Sequence, residues 1–245
     1  MRDNILGDDG LSKTIGDAWH NIKATWVTYK PMVQLLSNTN DLFMKYIKVF
    51  SLLSKESDIS SPAAFLARSY GCYLASVRLS TSGQFSESFV IFRACIENAL
   101  YGYYLYKKPE LGSIWVERQQ SIETKKKVRN EFAIGKILKL LEQEPKVWNR
   151  IKDMYEKSID YGGHPNVYSV ASNWRETEGK EVIDIFNNEP YFKKCCLLTN
   201  IYIGLGCLSV FGLIYPKQLE DAGAPKELKG LFDKFSKLGQ NINEK

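Results

Sequence analysis

The sequence predicts an all-α protein, a helical bundle of about eight helices with a small β-hairpin insertion. Three observations lead there. Apolar residues recur at three- and four-residue spacing through most of the 245 residues, which is the period of an amphipathic helix. Serine, glycine and proline punctuate these runs where helix ends require them. One run, Cys195 to Tyr215, holds no charged residue and suits a central helix around which the amphipathic helices pack.

Taken in order, a first helix is expected from Leu11 to Lys30, closed by Pro31. A second is expected from Asp41 to Lys55, with Asn40 as its N-cap. Ser61-Pro62 reads as an N-cap serine followed by proline at the first helical position, opening a helix that Thr81-Ser82-Gly83 ends. A long helix follows from Phe85 to Lys107, stopped before Pro109, and shorter ones from Glu110 to Gln120, Thr124 to Leu141 and Pro145 to Ile159. Between His164 and Pro190 the pattern changes. Val167 to Trp174 and Glu181 to Phe186 are rich in β-branched and aromatic residues around a turn at Thr177-Glu-Gly-Lys180, which predicts the hairpin.

The apolar helix from Tyr191 to Tyr215 comes next. Its length would also span a bilayer, but Thr199, Asn200 and three glycines favour burial inside the bundle, so no membrane partner is expected. A last helix places Leu228, Leu231, Phe232, Phe235 and Leu238 on one stripe. With no internal repeat or long linker, residues 1–245 read as one domain. Residues 1–60 supply N-terminal helices, 61–215 a core bundle with the hairpin near 167–187, and 216–245 a C-terminal amphipathic helix.

A net charge of +5 falls short of the dense positive stripe of a dedicated duplex binder. Five cysteines, an odd number without Cys-x-x-Cys spacing, predict reduced thiols in a cytoplasm. Acidic residues interrupt the N-terminus where an export signal needs an apolar run. Two histidines, far apart, do not suit a histidine-rich zinc or di-iron site. Neither a dinucleotide fingerprint, a Walker loop nor a nucleophile elbow occurs, so no cofactor and no metal is expected.

Three groups of residues could carry chemistry. Arg93 and Glu97 are four apart on the apolar Phe85–Lys107 helix, so they meet on one face. They form either an ion pair that fixes packing or a pocket whose arginine holds an anion. Glu117 and Arg118 beside Trp115 are either a second acid and base next to an aromatic ring or an ordinary exposed helix face, and the run Lys125-Lys126-Lys127 with Arg129 is either a solvated face or the start of phosphate contact. The third is Asp160-Tyr161-Gly-Gly-His164-Pro-Asn166. The glycine pair can adopt positive φ and stop the helix, Pro165 holds His164 extended, and Asp160 or Tyr161 could orient the imidazole. His164 is then either a general base or the cap of a His-Pro turn.

Arg93-Ala-Cys-Ile-Glu97 together with Tyr161-Gly-Gly-His-Pro-Asn166 resembles a bacterial all-helical family similar in pattern to the HEPN superfamily, over roughly residues 62–215. The resemblance implies one polar site of Arg93, Glu97 and His164, an RNA or protein partner, a homodimer, and a place in stress response or phage defence. RNA-cleaving members carry an arginine a few residues before the histidine. Here the nearest upstream arginine is Arg150, so metal-independent cleavage is not licensed. The expectation is therefore a non-catalytic helical binding or scaffold protein. The alternative is RNA binding or cleavage with His164 as base, Arg93 stabilising phosphate charge and Glu97 orienting the arginine.

Overall fold

The computed structural model describes residues 7–53, 59–163, 167–177 and 179–243. Among these residues, twelve α-helices, three short 3₁₀ or π-helical turns and one two-stranded antiparallel hairpin make up the regular structure, so the all-α bundle with a β-hairpin is the architecture observed.

The first two helices are α1 (Gly10–Thr28) and α2 (Lys30–Leu53). Asp9 caps α1 by accepting from the Ser12 amide at 3.0 Å. Two expectations fail here. Pro31 opens α2 rather than closing α1, because a first-turn residue has no intrahelical bond to lose. Asn40 lies inside α2 and caps nothing, since its side-chain oxygen accepts from the Tyr70 hydroxyl at 2.8 Å. Helix α3 (Pro62–Ser82) begins at the expected Ser61 cap and ends on Gly83 at φ 101°, a left-handed stop. Helix α4 (Phe85–Lys107) then runs back beside it.

The next stretch is more broken than the expected two helices. Short 3₁₀ turns at Pro109–Leu111 and Glu117–Gln119 flank α5 (Gly112–Val116), followed by α6 (Ile122–Glu131) and α7 (Ile134–Leu141). The break falls at Phe132, whose carbonyl accepts from the Tyr101 hydroxyl at 3.2 Å and whose ring packs on Tyr101 and Tyr104. Helix α8 (Pro145–Ser158) continues into a π-helical turn, Ile159–Gly163.

The hairpin is narrower than expected. Val167–Ala171 forms a helical turn, α9, and the strands are β1 (Trp174–Thr177) and β2 (Lys180–Ile183), turning at Gly179 with φ 74°. Residues 167–171 are held helical from outside: Ser86 on α4 donates to the Ser169 carbonyl at 2.9 Å and lies 2.6 Å from the Ser172 hydroxyl. Tertiary context outweighs their β propensity.

Helix α10 (Pro190–Phe211) is the centre of the bundle. It is the one described helix long and apolar enough to cross a membrane, and 72% of its most apolar window is buried inside the protein. Gly204 lets α2 and α3 close on it, since a Cβ there would meet Tyr73 Cε2 at 2.7 Å and Thr39 Cγ2 at 2.8 Å. Helix α11 (Pro216–Asp221) leads to α12 (Ala224–Asn243), whose Phe232 and Phe235 pack on Tyr202 of α10.

Candidate functional site

Arg93 and Glu97 come together as their spacing requires. The Arg93 Nε donates to Glu97 Oε1 at 2.8 Å, and the same oxygen accepts from the Tyr155 hydroxyl at 3.2 Å. The guanidinium lies 5.5 Å from the centre of the Tyr155 ring. The pair is less enclosed than the apolar helix suggested, with side chains 30% and 34% exposed, because α8 covers the face only in part. Glu97 raises the pKa of Arg93 through their hydrogen bond; burial, followed by the charge of Glu97, raises that of Tyr155. Burial also raises Tyr101, whose hydroxyl feels both Glu97 and Arg118. Arg93, Glu97, Tyr101, Arg118 and Tyr155 therefore form one polar face where α4, α8 and the Glu117–Gln119 turn meet.

Of the other expected residues, Glu117, Arg118, Lys125, Lys126 and Lys127 are exposed. Among the described residues the ion pairs do not include Lys125, Lys126, Lys127 or Arg129. Helix α6 buries only Val128 and is held by a reciprocal cap between Ser121 and Thr124. It is a polar helix that presents its cations to solvent.

His164, Pro165 and Asn166 lie outside the described residues. Their flanks are fixed nonetheless. Tyr161 packs on Phe89 at 5.3 Å and on Tyr168 at 5.6 Å. Gly162 does not use positive φ, contrary to expectation. Its need for glycine is contact: a Cβ would stand 2.6 Å from both Phe89 Cβ and the Ser86 carbonyl oxygen. Gly162 and Ser169 both meet α4 at Ser86, roughly 10 Å along the helix from Arg93 at 1.5 Å per residue.

Two further polar groups were not legible in the sequence. His20 lines a cleft of about 490 Å³ between α1 and the hairpin, with Asp17, Arg175 and Asp184; its Nδ1 lies 2.9 Å from the Gly16 carbonyl oxygen, and Arg175 is paired with Asp184. Lys193, 4% exposed, places its Nζ 3.1 Å from the Thr81 carbonyl oxygen at the end of α3. Burial lowers its pKa to about 8, opposed by Cys196. Nearby, Asn200 donates to Ser80 Oγ at 2.9 Å and accepts from Ser76 at 3.2 Å. Thr25 of α1 donates to the Thr81 carbonyl at 2.8 Å, and the Asn187 amide donates to Gly83 at 2.8 Å. The signal for Lys193 was its place at the edge of an apolar run, but only the end of α3 shows what it caps.

Among the described residues no group of three His, Cys, Asp or Glu side chains is placed to hold a metal ion. Compared with known proteins, the chain matches no family model, no curated protein and no solved structure.

Proposed function

We propose that the chain is a non-catalytic helical binding or scaffold protein. The observation that supports this most is the mutual bonding of Arg93, Glu97 and Tyr155: one carboxylate oxygen accepts from both the Arg93 Nε and the Tyr155 hydroxyl, so the three side chains tie α8 to α4. A partly buried ion pair that joins two helices in this way suits a packing role. The free thiols at Cys72, Cys95, Cys195, Cys196 and Cys207 fit a reducing, cytoplasmic setting for such a protein.

The second reading, a HEPN-like RNA-binding or RNA-cleaving protein, draws on the cations of α6. Lys125, Lys126, Lys127 and Arg129 lie exposed near Arg118, a surface on which phosphates could be neutralised at the expense of bound counterions. One assay separates the readings. Labelled single-stranded RNA is incubated with the protein in chelator, and both its anisotropy and its integrity are followed as salt rises. The proposal expects intact RNA throughout. Cleavage abolished by both His164→Ala and Arg93→Ala would replace it with the catalytic reading. Salt-sensitive binding without cleavage, lost on changing Lys125, Lys126 and Lys127 to glutamate, would make RNA the bound partner.

A further inference from the structure

Among the described residues, α1 carries a line of large apolar side chains that the fold leaves mostly uncovered. Leu11, Ile15, Trp19, Ile22 and Trp26 follow spacings of four and three and so form one line along the helix. Leu11 is 70% exposed, Ile15 38%, Trp19 61% and Trp26 53%. The helix is docked on the body about a quarter turn round from this line, through Thr25 on Thr81 and Asn21 on Ser82. The tryptophans are thus turned outward by a helix whose orientation is fixed.

We infer that this stripe is the contact through which two copies of the chain associate, α1 against α1 in antiparallel order. The arrangement is self-complementary, as a twofold contact must be. A copy turned end for end sets Ile15 against Trp26 and Trp19 against Ile22 about the axis. It also brings Asp8 and Asp9, just before the helix, towards Lys30, the first residue of α2 beyond its other end, whereas a parallel pair would set like charges together. The four exposed side chains offer ~500 Å² of apolar surface per copy, at the upper end of what a monomer leaves bare. Two copies would bury ~1,000 Å² before any polar rim is added, where specific association begins. A lipid surface fits less well. Lys13 and Lys23 of α1 are offset by Asp17 and by Asp8 and Asp9 before it, which leaves no basic excess for anionic headgroups. The association is independent of whether RNA or protein is bound elsewhere.

Sedimentation velocity of the full chain over a roughly hundredfold concentration range tests it. The wild type is expected to pass from monomer to dimer. Trp19→Lys and Trp26→Lys are each expected to weaken the dimer by about tenfold or more with unchanged far-UV circular dichroism, since both side chains are outside the core. Lys30→Glu, which in this register falls opposite the partner's Leu11 and next to its Asp9, is expected to weaken it several-fold at low salt and less at high salt. A monomer at every concentration overturns the inference, as does a dimer indifferent to Trp19 and Trp26. Binding of the monomer to phosphatidylcholine or phosphatidylglycerol vesicles, lost in the same tryptophan variants, overturns it in favour of a lipid surface.

Discussion

The polar seam beside α10 and the outer face of α1 are opposite solutions to the same problem. In the seam, buried polar groups are placed where each finds a partner: Asn200 spans Ser76 and Ser80, Tyr73 donates to the Leu36 carbonyl at 2.8 Å, and Lys193 closes the end of α3. On α1, large apolar groups are left only partly covered by the described residues. Burial without a partner costs a polar group dearly, while exposure costs a tryptophan only the unrealised transfer from water. The seam therefore reads as stability already realised inside one chain, and the α1 face as association energy held for another surface. Changes in the first should be felt in unfolding, and changes in the second in assembly.

The sharpest way to break this contrast lies in the seam. Gly204→Ala puts a Cβ within 2.8 Å of both Tyr73 and Thr39, which are fully buried. It is expected to cost about 3 kcal/mol in urea unfolding, the upper range for overpacking a core. Asn200→Ala follows at about 2 kcal/mol, because it removes two buried hydrogen bonds and leaves Ser76 and Ser80 only the Tyr73 and Val77 carbonyls, beside the space the side chain vacates.

Lys193 makes the seam sensitive to pH. Its folded pKa, about 8, lies below the ordinary 10.5. Between these values the unfolded chain holds a proton that the folded chain has released, so this group adds stability as pH rises through the window. That contribution is complete above 10.5 and is lost as pH falls through about 8. Unfolding free energies of wild type and Lys193→Met, compared from pH 7 to 11, should diverge in the wild type's favour, by at most about 1.4 kcal/mol per pH unit within the window. Parallel curves would remove Lys193 as the cause.

Smaller effects are expected away from the seam. Glu97→Gln keeps an acceptor for Tyr155 but removes the half-exposed ion pair, and should change stability by about 1 kcal/mol or less. Trp19→Ser should change the stability of the monomer by less than about 0.5 kcal/mol while still impairing association. A large loss of monomer stability at Trp19 would erase the distinction between the two regions.

Where local chemistry decides, the sequence was readable. The Ser61-Pro62 start, the Gly83 stop and the limits of α4 are set by residues that touch their own neighbours, and so is the pairing of Arg93 with Glu97. Reading failed where a distant partner overrode a local preference. Asn40 carries the right side chain for a cap, but Tyr70 claims it; residues 167–171 include β-branched side chains, but Ser86 holds the Ser169 carbonyl of a helical turn. The same limit applies to the candidate site. That Tyr155 completes the group around Glu97, 58 residues away, and that Arg118 shares its field, follow only from how α8 and the Glu117–Gln119 turn are laid on α4. Gly162 is required for absence of bulk rather than for freedom of rotation, and only the approach of α4 makes that visible.

The end of α3 carries a further consequence, for the order in which the molecule folds. Helices α3 and α4 are joined by Gly83 and Gln84 alone and can pair with almost no chain to close. The carbonyls at Thr81 and Gly83, by contrast, wait for Thr25, 56 residues upstream, for Asn187, and for Lys193, 112 residues downstream. A helical hairpin with its stop already formed would serve as the nucleus, and the junction would close on it late. Replacing Lys193 should then leave the refolding rate almost unchanged and appear as faster unfolding, making the end of α3 the latch that sets how long the native state lasts.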